Sequence, residues 1–360
     1  MLIYRSGPAG YLLALTAAFP ISLVAVSASA EETSYPQITG ELSVEIENDW
    51  TYQSDDPTAE INDLYPTVVL GTNVAFTEAF SLNFEATLEP VEDATSDRAF
   101  EDLGGYLNII TANYDGETVS AYAGKFTPNF GIAWDIAPGI FGTNLNEDYE
   151  LAEMVGFGGG FHFEAAGVHT ISASTFFQDT SFLSNSVGTK RGPLELSDGG
   201  AGNTEDFSSF AVAFDGEFQH VAGFRYHLGF SSLGAGEGGN DRQLGYAIGV
   251  EYAFNIGENL TISPMAEYVY FDNYGGMGND TAKYFTGGLA LNHENWVAST
   301  TYQLRDTEVS GVTTDDYVVD FTVGYVFDMG LGVAAAWRGA EEDNVDSEGL
   351  GLLLSYAIEF

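Results

Sequence analysis

The chain has 360 residues, with 53 Asp and Glu against 10 Lys and Arg, and a formal net charge of −43 at pH 7. That polyanionic balance excludes nucleic-acid binding, which needs the opposite sign. Cysteine is absent, so there is no lipid-modified cysteine anchor, no disulfide and no thiol or Cys-metal chemistry.

At the amino end Arg5 precedes an apolar stretch from Tyr11 to Val26, and Ala28-Ser29-Ala30 follows as a small-x-small cleavage site. This reads as a secretory signal peptide over residues 1–30, leaving 31–360 as one domain. A membrane anchor is the alternative, and Pro20 and the cleavage site count against it. Removing Arg5, the only charged residue of the leader, takes the charge from −43 to −44. Beyond the leader no apolar run approaches the ~18 residues of a membrane helix. There is no linker and no low-complexity block.

The remaining chain alternates. Ile38, Gly40, Leu42, Val44 and Ile46 stand against Thr39, Glu41, Ser43, Glu45 and Glu47. The same period of two runs through Leu64–Phe76, Phe80–Leu88, Tyr106–Tyr114, Val119–Phe126, Val155–Glu164 and Val168–Phe177. It continues through Phe207–Phe214, Phe224–Ser231, Leu244–Phe254, Leu260–Phe271, Ala282–Leu291 and Trp296–Arg305. Tyr317–Phe327, Leu331–Arg338 and Leu350–Phe360 complete sixteen segments. Each is a strand with one apolar face, of about the 9–11 residues that cross a bilayer at barrel tilt.

Short connections rich in Gly, Asn and Asp, such as Asp115-Gly116-Glu117 and Asp328-Met329-Gly330, alternate with longer acidic ones. Acids cluster in those longer connections, as in Glu92, Asp93, Asp97, Glu101 and Asp102, or Glu341-Glu342-Asp343 with Asp346 and Glu348. Phe76, Phe80, Phe214, Phe254, Trp296, Phe327 and Phe360 fall at the short-turn ends, and Trp50, Tyr270, Tyr302 and Trp337 at the others. The pattern predicts an all-β fold, a transmembrane antiparallel β-barrel with two aromatic girdles, short periplasmic turns and long external loops. Two packed soluble sheets are the alternative.

A barrel of about sixteen strands encloses water, and the inward positions are small or polar: Gly245, Ala247 and Gly249, or Gly332, Ala334, Ala336 and Arg338. The third external connection, residues 127–153, carries Phe130, Ile132, Trp134, Ile136, Ile140 and Phe141. It is expected to fold into the barrel against a trough formed by Met154, Gly156, Gly158 and Gly160. The other reading of those glycines is relief of sheet curvature, and both stay open.

The terminal alternation ending Tyr356, Ile358, Phe360 resembles the C-terminal signature of Gram-negative outer-membrane barrels. It implies recognition by the barrel-assembly machinery and an outer-membrane location. The architecture resembles the sixteen-stranded general-diffusion porins. Gly124-Lys125-Phe126-Thr127-Pro128-Asn129-Phe130-Gly131 is similar to the strand-to-loop junction of phosphate-selective-type porins. Phosphate selectivity does not carry over, because the chain beyond the leader has nine Lys and Arg and no basic ladder. The resemblance implies a homotrimer. It also implies a constriction that sets acids of the inserted loop, Asp135, Glu147, Asp148, Glu150 and Glu153, against inward-facing bases, Lys125, Arg225, Arg305 and Arg338. Arg305 and Arg338 have a second reading, as high wall residues that meet lipopolysaccharide or loop carboxylates. His162 and His227 also point inward and need no role.

The function expected is passive diffusion of small hydrophilic solutes and ions, with cations preferred because an acidic mouth concentrates counter-ions. A solute-specific sugar or anion channel, or a surface adhesin or receptor barrel, are the other readings. No cofactor is expected, although external acids could bridge Ca²⁺ or Mg²⁺ to lipopolysaccharide. No Ser-His or Asp-His grouping has a local signature of catalysis, so an enzyme is not expected.

Overall fold

The computed structural model describes residues 34–360; the predicted leader lies outside them. Sixteen strands close into one antiparallel barrel. They are β1 (Gln37–Ser54), β2 (Asn62–Ala75), β3 (Phe80–Pro90), β4 (Leu103–Asp115), β5 (Val119–Phe126), β6 (Met154–Glu164), β7 (Gly167–Gln178) and β8 (Ser209–Phe218). There follow β9 (Phe224–Leu233), β10 (Gln243–Tyr252, continued by Phe254–Ile256), β11 (Leu260–Asp272), β12 (Thr281–His293), β13 (Trp296–Val309), β14 (Val312–Val326), β15 (Gly332–Glu342) and β16 (Val345–Glu359). Each pairs with its successor, and β1 pairs with β16 to close the ring. The last bond of that seam is reciprocal: the Gly40 amide donates to the Phe360 carbonyl at 2.9 Å, and the Phe360 amide to Gly40 at 3.0 Å. Closure leaves no sheet edge, the condition for crossing hydrocarbon with strands.

Side-chain exposure follows the period of two. Leu350, Leu352, Leu354, Tyr356 and Ile358 all stand exposed on the outer face of β16, while Gly351 and Leu353 are buried inside. Leu353, the one apolar residue out of phase in that strand, packs with Ile140, Phe141 and Ala336 within the barrel. The outer face ends in exposed Phe76, Phe80, Trp296, Phe327 and Phe360 on one rim and Trp50 and Tyr302 on the other.

All sixteen expected segments are strands, but two external connections are not loops. Ser310-Gly311 (φ 54° and 76°) and Asp343-Asn344 (φ 52° and 63°) turn the chain in two residues. Two successive positive φ values are the backbone of the tight hairpin turn that matches strand twist. Glu341, Glu342, Asp346 and Glu348, expected in a loop, are therefore strand residues. The true external loops are 55–61, 91–102, 127–153, 179–208, 234–242 and 273–280.

The wall has one incomplete seam. β5 is short and pairs with β4 only from Ile110 to Asp115. Above that level β4 would lack a neighbour. The fourth external loop supplies one: Val187-Gly188 pairs antiparallel with Gly104-Gly105.

Candidate pore constriction

The third loop, residues 127–153, lies inside the barrel, anchored strand by strand. Its entry is held at β9, where His227 Nε2 donates to the Phe130 carbonyl at 2.6 Å. On β11, Glu267 accepts from the Ile132 amide at 2.5 Å and the Ala133 amide at 3.2 Å, beneath the single turn of helix α1 (Ala133–Ile136). The β13 hydroxyl of Thr301 donates to the Pro138 carbonyl, and Thr322 on β14 accepts from the Ile140 amide at 3.0 Å. Gln303 makes a double contact, donating to the Phe141 carbonyl and accepting from the Leu145 amide, both at 2.8 Å. Thr286 on β12 donates to Asn146 at 2.7 Å. The chain then returns to Glu267 through Tyr149.

Small residues of the same wall make room. A Cβ added at Gly245 would lie 2.7 Å from the Phe130 ring, one at Gly249 2.5 Å from Ile132, one at Gly288 2.6 Å from Pro138, and one at Gly351 2.9 Å from Phe141. The seat of the loop is therefore the wall from β9 to β16, not the glycine trough expected on β6. Gly156 and Gly158 instead meet Phe176 and the Tyr122 ring from neighbouring strands. The loop's aromatic residues join a core with Phe271, Tyr284 and Val269 that fills this side of the lumen.

The space left open runs along the opposite wall. A cavity of about 760 Å³ is lined by Glu41, Asn73, Asn83, Glu85 and Glu359 among others, on the inner faces of β1–β3 and β16. The edge of the loop near Glu85 is acidic. Asp135 is exposed on the surface of the loop but enclosed by the surrounding barrel, and its carboxyl is pushed up by that desolvation first and then by Glu267. Glu150 is pushed up to about 8, by burial first and then by Asp135, Glu85 and Glu153 around it. Acid thus faces acid across the passage: Glu150 on the loop and Glu85 on β3.

The bases expected to oppose the loop acids are elsewhere or already paired. Lys125 is sealed, its ammonium bound to Glu153 at 2.6 Å, Asp179 at 2.9 Å and the Leu183 carbonyl at 3.1 Å. Gly124, at φ 139°, breaks the alternation just before it. Arg191 binds the same Glu153 at 2.6 Å and lies over the Tyr106 ring, beside the incomplete seam. Arg225 pairs with Glu251 near the periplasmic end and does not face the loop. Arg305 does meet the loop: Nη1 bonds Asp148 at 2.7 Å while Nε bonds Asp316 at 2.8 Å. Arg338 lies over the Phe141 ring, 3.7 Å from Asp49 and bonded to Thr51. Glu147 is half-buried in the turn Glu147–Tyr149. Loop acids and wall bases thus meet as closed ion pairs at Asp148–Arg305 and Glu153–Lys125, and no open transverse field results.

Parity alone marks Glu85, His227, Glu267, Gln303 and Thr322 as inward, but nothing in the sequence says what each one meets. His227 is far from idle: both ring nitrogens are bonded, Nδ1 to Asp215 at 2.7 Å and Nε2 to Phe130. His162 bridges Ser120 and Thr170 on neighbouring strands.

This is the fold of the sixteen-stranded outer-membrane porins, an all-β barrel with an internal loop. No family model matches the chain, and no curated protein matches its sequence. Solved structures do match. OccAB3 of Acinetobacter baumannii aligns over 90% of this chain and 100% of its own, with TM-score 0.55 and 12% identity. OpdK of Pseudomonas aeruginosa with vanillate aligns over 90% and 99%, with TM-score 0.56 and 10% identity. OccK2 (OpdF) of Pseudomonas aeruginosa in complex with glucuronate aligns over 90% and 98%, with TM-score 0.54 and 10% identity.

Proposed function

We propose that the chain is an outer-membrane porin, a passive channel for small hydrophilic solutes that prefers cations to anions. The observation that carries the selectivity is the acid-on-acid passage, with Asp135 on the loop edge and Glu85 on the facing wall, and with Glu150 between them adding its charge as pH rises through about 8. The bases near it, Lys125, Arg305 and Arg338, each lie within 4.0 Å of a carboxylate. A wet passage lined by one sign of charge raises the local concentration of counter-ions. Planar-bilayer recording in a salt gradient tests both parts. Steady conductance with a reversal potential of cation sign is expected. Absence of conductance would sink the channel, and an anion-sign potential would sink the selectivity alone.

A second reading, a solute-specific channel, is favoured by the rigid seating of the loop on eight strands and by the fold neighbours crystallised with vanillate and with glucuronate. Both of those ligands are carboxylates. The acidic lining here argues that this chain takes a different class, neutral or cationic solutes. Competition of candidate solutes with ion current separates the two readings: a general pore is blocked weakly by all, a specific one strongly by few.

The leader, a homotrimer, delivery by the assembly machinery through Tyr356, Ile358 and Phe360, and contact with lipopolysaccharide complete the proposal. Among the described residues no group of three His, Asp or Glu is placed to hold a metal ion. Any Ca²⁺ or Mg²⁺ at the outer rim would bridge loop carboxylates to lipid phosphates.

A further inference from the structure

We propose that His227 is a positioning residue of the third loop whose double clasp, on Phe130 of the loop and on Asp215 of the wall, holds only while the imidazole carries both protons, so that loop position is coupled to pH. The inference rests on the reading of this loop as the constriction. Nε2 lies 2.6 Å from the Phe130 carbonyl and Nδ1 lies 2.7 Å from Asp215 Oδ1. A carbonyl only accepts, and so does a carboxylate. A neutral ring has one N–H, so one of these two contacts would set a lone pair against an acceptor oxygen. Asp215 cannot turn away freely, because its other oxygen accepts from Asn129 Nδ2 of the same loop at 2.8 Å.

The site has little slack. His227 is 1% exposed. Gly229, the next inward residue, lies so close to the Phe130 carbonyl that a Cβ there would overlap it. The charged groups around the ring are Asp215 on β8, the Arg225–Glu251 pair of β9 and β10 one inward step away, Glu267 on β11 and Asp135 on the loop. Deprotonation therefore leaves the loop entry facing carboxylates with one fewer donor, and the contact at Phe130 or Asp215 opens.

The test uses the full chain in lipid nanodiscs. Amide hydrogen exchange of residues 130–136, normalised to intrinsic rates, is followed from about pH 5 to about pH 9, the range in which histidines titrate. Open-channel current noise is recorded over the same range. Protection should fall roughly ten- to a hundredfold as the ring deprotonates, the equivalent of one charge-assisted hydrogen bond, and noise should rise at the same pH. His227→Gln keeps an amide donor but does not titrate, and should flatten both profiles. Asp215→Asn should move the transition to lower pH. A flat profile in the unmodified protein, or an unchanged transition in His227→Gln, would overturn the proposal. Should the protein fail to conduct, the exchange profile still decides the clasp, and the channel reading falls separately.

Discussion

Tyr149 Oη donates to Glu267 Oε1 at 2.7 Å, and the same carboxylate accepts the amides of Ile132 and Ala133. One β11 side chain thus ties both ends of the third loop, which are separated by the whole excursion to β16 and back. Glu267 is 1% exposed; a carboxylate at that depth is tolerated because three donors satisfy it. Glu267→Ala should leave those donors unmatched and weaken anchoring by roughly 2–5 kcal/mol. Single-channel traces of the variant should show larger and noisier openings, while heat-dependent gel migration still reports a folded barrel. Unchanged traces would mean that the loop is held without this carboxylate.

The fit of the loop to its wall is checked by single methyl groups. Gly249→Ala places a Cβ 2.5 Å from Ile132 Cδ1, whereas at Gly71 on the open side nothing lies within 4 Å of the added atom. Overpacking of this kind costs about 1–3 kcal/mol. Gly249→Ala should alter conductance and Gly71→Ala should not, despite identical chemistry. Equal effects would argue against the docked position of the loop.

If the chain conducts as proposed, Glu150 should give its selectivity a pH dependence. Its carboxyl is raised to about 8, so the folded chain holds that proton more tightly than the unfolded chain does. Stability contributed by the protonated form is complete in acid and is lost as pH rises from the ordinary carboxylate range through about 8. Over the upper part of that window the passage gains one negative charge. Cation preference should therefore rise between pH 7 and 9, by roughly two- to threefold in permeability ratio for one charge in a wet pore. Glu150→Gln should abolish the rise. Reversal potential reports this titration, while noise and exchange report His227, so the two are separable.

Arg305 joins Asp148 of the loop to Asp316 of the wall. Arg305→Gln should release Asp148 and leave Asp316 buried without its counter-charge. Stronger cation selectivity and a loss of thermal stability of about 3 kcal/mol are expected together. A shift toward anions would contradict the present placement of charge.

Much of this molecule was legible in one dimension, because a strand crossing lipid has to alternate. The sixteen segments, the aromatic rims and the inward loop all follow from that constraint and from the apolar content of residues 127–153. What escaped lies where the constraint lapses. Beyond the bilayer a strand needs no apolar face, so Thr313-Thr314-Asp315 looked like loop. The dipeptides Ser310-Gly311 and Asp343-Asn344, residue types that tolerate the positive φ found there, are the local signal that marks those two turns. The wall that receives the loop was hidden for another reason. Phe130 and His227, or Phe141 and Gln303, are distant in sequence, and a polar inward residue reads the same whether it faces water or a loop amide. Leu353, an apparent irregularity of the last strand, was a trace of that docking, since it packs on Ile140 and Phe141.

The patched seam between β4 and β5 bears on the order of events in folding. The sixteen wall strands are each stitched to a neighbour that is consecutive in the chain or, at β1 and β16, to the opposite terminus, and Arg98-Ala99 of the second external loop adds a short parallel pairing to Asp63-Leu64 of β2. At Gly104-Gly105 the neighbour is Val187-Gly188, which lies beyond β6 and β7. Synthesis of the first five strands therefore yields a wall with an open slit, and Lys125 and Arg191 lock it through Glu153 only after the β6–β7 hairpin exists. Like a barrel stave cut short and shimmed afterwards, this is the place where the ring should be last to tighten on assembly and first to part under load.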